Sequence, residues 1–97
     1  MSNTYQIFLI SDSTGETLER IFLSLKAQFK NIEYKVNSYS FTRTENQILK
    51  ILDLANKEKN AIILYTIVDN NLAKFLANTC DQKKIPCFGV LGSLILS

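Results

Sequence analysis

The chain has 97 residues, 46% of them hydrophobic and 21% charged, with a net charge of +2. That balance fits one globular domain spanning residues 1–97, too apolar for a disordered chain and close to the lower size limit for an unaided core. The positive charge is spread along the chain and builds no basic stripe, which argues against a nucleic-acid partner.

No apolar run approaches the roughly 20 residues that cross a bilayer, and the start Met1-Ser2-Asn3-Thr4-Tyr5-Gln6 lacks the features of a signal peptide. The expected location is therefore the cytoplasm, with no membrane partner. The chain contains no histidine, which excludes a Ser-His-Asp triad, a Cys-His pair and a histidine-rich metal site. Cys80 and Cys87 do not form a C-x-x-C pair and are expected as small buried residues, the first on a helix and the second on a strand.

In chain order, Tyr5 to Ile10 is a short continuous apolar run, the mark of a strand covered on both faces. Ser11-Asp12-Ser13-Thr14-Gly15-Glu16-Thr17 interrupts it. Leu18, Ile21, Phe22, Leu25 and Phe29 then recur at helical spacing. Ser13 with Glu16 matches the S-x-x-E capping box and predicts the helix start there. Ile32, Tyr34 and Val36 alternate with Glu33, Lys35 and Asn37, as in a strand with one wet face at a sheet edge. The alternation changes phase at Tyr39 and Phe41, which predicts a bulge or bend near Asn37-Ser38.

Thr44 and Gln47 form a second capping box, opening a helix that turns Ile48, Ile51, Leu52 and Ala55 inward. Ala61 to Val68 reads as a second central strand. Asp69 or Asn70 caps a third helix with Leu72, Phe75, Leu76, Thr79 and Cys80 on its buried face. Lys83 and Lys84 suit a helix C-terminus, Pro86 blocks continuation, and residues 86 to 91 form a fourth strand.

The order βαβαβαβ predicts a three-layer α/β fold with a parallel sheet and right-handed crossovers. An edge position for the second strand gives the spatial order 2-1-3-4. A topological switch point then falls between the first and third strands, where open α/β sheets bind ligands beyond the carboxyl ends of the strands. The loops Ser11–Gly15 and Val68–Asn71 line that position. After the fourth strand, Gly92 and Ser93 lead into Leu94, Ile95 and Leu96, about one helical turn, too short for independent stability. The sheet is thus expected to end incomplete at its C-terminus, and to self-associate through the fourth strand and the tail.

The first loop carries the strongest chemical signal. A strand that runs into hydroxyl residues, a glycine and a helix start presents free N–H groups at a positive dipole end. Ser11, Ser13, Thr14, Gly15 and Thr17 are the anion-binding candidates, with Arg43 as a cation from the second crossover. The competing reading is a capped tight turn. Asp12 opposes an anion unless its carboxylate points away, and Asp69 is either a switch-point carboxylate or simply a helix cap. Residues 12–17 also parallel the flavodoxin phosphate loop T-x-T-G-x-T, with Asp12 in place of the first threonine. Asp69-Asn70-Asn71 supplies no aromatic residue to sandwich a flavin, so that reading is the weaker one.

Ile10 to Thr17, Phe41-Thr42-Arg43-Thr44 and Ile63 to Asp69, supported by Pro86-Cys87 and Gly92, together resemble the N-terminal part of the pyruvate, phosphate dikinase / phosphoenolpyruvate synthase regulatory proteins. The resemblance implies a bifunctional serine/threonine kinase and phosphorylase. Such an enzyme phosphorylates a threonine of the dikinase or synthase with ADP, and removes the phosphate by phosphorolysis with release of pyrophosphate. ADP and phosphate are the ligands it implies for the longer family proteins, and the dikinase or synthase is the partner. The family's G-x-x-x-x-[ST]-K-[ST] loop has no counterpart here. Gly15, Gly89 and Gly92 are the three glycines, and no Lys-Ser or Lys-Thr pair follows any of them. No catalytic residue, nucleotide site, cofactor or metal ligand is therefore assigned within this chain, which is expected to be inactive alone.

Overall fold

The computed structural model describes residues 4–28 and 31–90. Strand β1 (Tyr5–Ser11) is followed by α1 (Glu16–Lys26), β2 (Tyr34–Tyr39), α2 (Glu45–Asn56), β3 (Ala61–Thr66), α3 (Asn70–Lys83) and β4 (Cys87–Gly89). The four strands form one all-parallel sheet in the order β2-β1-β3-β4, as the element pattern predicts. Right-handed crossovers explain the two faces. The step from β1 to β2 runs one way across the sheet, and the steps from β2 to β3 and β3 to β4 run the other way. Helices α2 and α3 therefore share one face, and α1 has the opposite face to itself.

Alternation along β1 serves both layers. Phe8 and Ile10 join Ile48, Ile51, Leu52, Ala55, Ile63, Leu76 and Cys80 in the core under α2 and α3. Ile7 and Leu9 join Leu18, Phe22 and Leu64 in a smaller core under α1. On α1, Leu18 and Phe22 are buried, Ile21 is half-buried and Leu25 is exposed, while Phe29 lies outside the described residues. The whole expected inner face of α2 is buried. On α3, Leu76, Thr79 and Cys80 are buried, with Leu72 and Phe75 half-buried.

Several expectations need correction. Strand β2 carries no bulge at Asn37-Ser38, because its register with β1 is unbroken from Tyr5↔Tyr34 to Ile10↔Tyr39. The phase change arises because this edge strand is covered on opposite faces at its two ends. Tyr34 meets Phe22 edge-on under α1, and Tyr39 stacks on Phe8 under the other layer. Val36 and Ile32 are exposed, not inward. The true bend follows the strand, where Phe41 adopts φ 54. Strand β3 stops at Thr66, two residues sooner than expected, and β4 is only three residues long. The expected apolar tail, residues 92–97, lies outside the described residues.

Candidate functional site

Three segments converge at the carboxyl ends of β1, β2 and β3. The Phe41 and Thr42 N–H groups donate to the carbonyls of Ser13 (2.8 Å) and Ser11 (2.8 Å), holding the β2–α2 segment against the first loop. The Asp12 N–H donates to the Thr66 carbonyl (3.2 Å), and Asp12 Oδ2 accepts from the Val68 N–H (2.9 Å). Arg43 Nε donates to the Asp12 carbonyl (3.0 Å), and its guanidinium lies over the Phe41 ring, 5.2 Å from the centroid. Asp12 is thus the tie among the three segments. Its carboxylate is turned to the β3–α3 connection, which removes the objection that it would repel an anion held at the start of α1.

That helix start differs from the expected one. Ser13 is not the cap; Gly15 occupies the N-cap position at φ 86, with no side-chain capping bond. A left-handed residue at this point favours glycine, and a Cβ here would meet only Ser11 Cβ at 3.8 Å, so the constraint is conformational, not steric crowding. Ser13 is engaged elsewhere. Its N–H donates to Ser11 Oγ (3.1 Å), and the two hydroxyls are 3.3 Å apart. The Glu16 N–H reaches Thr14 Oγ1 at a long 3.4 Å, and the first intrahelical bond runs from the Glu19 N–H to the Gly15 carbonyl. Among the described residues, no protein acceptor meets the N–H of Thr17 or Leu18.

A small cavity of about 60 Å³ opens beside this turn, lined by Ser11, Thr14, Gly15, Leu18, Glu19, Ser38, Tyr39 and Ser40. It has room for a few waters or a small anion, not a nucleotide. Ser11 is buried, while Ser13, Thr14 and Thr17 are exposed. Thr17, Ser13 and Arg43 do not line the cavity. The concave space sits on the β1–β2 side of the loop, because the Asp12–Val68 bond spans the gap toward β3. Asp69 belongs to a separate arrangement. Its Oδ1 accepts from the Leu72 N–H (3.0 Å) as the cap of α3.

Sequence reasoning missed Ser38, Ser40, Glu19 and Thr42. Glu19 Oε2 accepts from Ser38 Oγ (3.4 Å), and Thr42 is buried with its hydroxyl donating to the Tyr39 carbonyl (3.4 Å). The hydroxyl run Ser38-Tyr39-Ser40 was the available signal. Away from this edge, Cys80 and Cys87 are free thiols in contact across α3 and β4. The hydrogen bond to Cys80, with burial, pushes the Cys87 thiol well above its ordinary range. Burial, then the two sulfurs, raises Tyr65 as well. No group of three His, Cys, Asp or Glu suited to a metal ion occurs among the described residues, and no helix there is long and apolar enough to cross a membrane.

The topology and the loop at the end of β1 define an open parallel α/β unit whose functional edge lies at the carboxyl ends of its strands. The family model described as kinase/pyrophosphorylase matches residues 7–97, and the chain belongs to that family. It is 74% identical, over all 97 residues, to a pyruvate, phosphate dikinase regulatory protein of Pelagibacter ubique, covering 35% of that protein. It is 41% identical over 91 residues to the protein of the same name from Agrobacterium fabrum, covering 94% of this chain and 33% of that protein. The identity is 38% over 90 residues with the Geotalea uraniireducens protein, covering 93% of this chain and 33% of that one. The chain spans about a third of the length of the curated relatives it matches.

Proposed function

We propose that this chain is the N-terminal α/β domain of a regulatory enzyme that controls pyruvate, phosphate dikinase, or the related phosphoenolpyruvate synthase, by reversible threonine phosphorylation in the cytoplasm. In the forward reaction the threonine hydroxyl takes the terminal phosphoryl group of ADP, leaving AMP. In the reverse reaction inorganic phosphate takes that group from phosphothreonine, giving pyrophosphate and the free hydroxyl. Membership of the kinase/pyrophosphorylase family is the observation that carries this reading.

The role assigned to this chain is binding, not chemistry. Phosphoryl transfer needs a phosphate-cradling loop, a cation and electrostatic clamping of the transferred group. The 97 residues contain no glycine followed by a Lys-Ser or Lys-Thr pair. The chain offers instead an anion-receptive turn. The unbonded N–H groups of Thr17 and Leu18, the hydroxyls of Ser11 and Thr14, and the close backbone at Gly15 suit a phosphate oxygen at the start of α1. Ser13 and Arg43 shape the turn through Ser11 and Asp12.

The test uses ADP labelled in its terminal phosphate, the dikinase, and either the full-length Pelagibacter relative or this chain. The expected result is labelled threonine on the dikinase with the full-length protein and none with this chain alone. A dikinase that stays unlabelled with the full-length protein would contradict the assigned activity. Labelling by the 97-residue chain would contradict the binding-only role.

A further inference from the structure

The two faces of the sheet are unequally covered. A helix about 10 Å across shields about two strands spaced about 4.8 Å apart. Helices α2 and α3 together suffice for their face, but α1 alone cannot cover the other. The consequence is an apolar groove of about 440 Å³ between α1 and the β3–β4 half of the sheet. Its walls include Phe22 and Leu25 from α1, Ile62 and Leu64 from β3, and Phe88 and Val90 at the β4 end. Phe88 is 56% exposed and Leu25 37% exposed, large side chains that a finished layer would hide.

We infer that this groove is the seat of an amphipathic helix supplied by the downstream part of the full-length protein, following a fifth strand. Two observations select that occupant. First, the matched relatives are about three times as long as this chain, so most of their sequence is available to cover it. Second, crossover handedness dictates which segment can arrive. A further strand added outside β4 continues in the β3-to-β4 direction, so the connection leading to it falls on the α2/α3 face. Only the segment after that strand, turning back over the sheet, lands on the α1 face above β3 and β4. Lys26 at the rim calls for an acidic residue on the flank of the incoming helix.

This inference rests on topology and family membership, not on phosphoryl transfer, so it and the proposed function can fail separately. The decisive experiment places a photo-crosslinking side chain at the position aligned with Phe88 in the full-length Pelagibacter protein. Carbene footprinting then compares that protein with the 97-residue chain. Expected are an intrachain crosslink to a helix beyond the position aligned with Ser97, and labelling at positions 25 and 88 that drops several-fold in the full-length protein. Crosslinks to a second copy, crosslinks to the positions aligned with 91–97, or equal labelling in both proteins would each overturn it.

Discussion

Helices α1, α2 and α3 all begin at the same edge of the sheet, yet their first turns are built differently. In α2, Thr44 Oγ1 accepts from the Gln47 N–H (3.1 Å), and Gln47 Oε1 accepts from the Thr44 N–H (3.0 Å), a complete capping box. In α3, Asp69 takes the Leu72 N–H. In α1, a left-handed glycine replaces the capping side chain, and the N–H groups of Thr17 and Leu18 meet no protein acceptor among the described residues. Two helix starts are closed by their own side chains and one is left open. An open start has a higher intrinsic cost, since an N-cap bond stabilises by about 1 kcal/mol, and it keeps donors for an external anion.

Mutations can break that contrast, in decreasing order of expected effect. Gly15→Ala forces a Cβ into the left-handed region and is expected to destabilise by about 1–2 kcal/mol, with Gly15→Asn milder, as read by urea denaturation. Thr44→Ala and Asp69→Ala should each cost about 1 kcal/mol in the same assay, through loss of their caps. Asp12→Ala removes the acceptor for the Val68 N–H and is expected to cost about 0.5–1.5 kcal/mol. The accompanying change should be faster amide exchange at Val68. Ser13→Ala is the smallest, below about 0.5 kcal/mol, because Ser13 caps nothing. A Ser13→Ala cost equal to that of Thr44→Ala would restore the capping box at Ser13 and close the contrast.

The same helix starts show what the sequence made legible. Helix α2 was readable throughout, since the Thr44–Gln47 spacing and the 3.6-residue apolar period are local signals that the fold obeys. The strand order followed from the lone wet-faced strand. The start of α1 was misread because Ser13 and Glu16 satisfy the S-x-x-E pattern. A left-handed glycine and the pull of Ser11 on the Ser13 N–H override it. The phase change in β2 looked like a bulge because alternation reports burial without saying on which face. Thr42 could not be found at all: its burial depends on a backbone bond to Ser11, 31 residues away, with no local trace.

The open helix start is the central claim, and a phosphate titration tests it most directly. Amide shifts of this chain would be followed to tens of millimolar phosphate at constant ionic strength. The account predicts saturable movement of the amides of residues 14 to 18, with the amides at 45–48 and 70–73 still, and loss of the response in Gly15→Ala. Amides 14 to 18 that stay still, or move no more than the capped starts of α2 and α3, would contradict it.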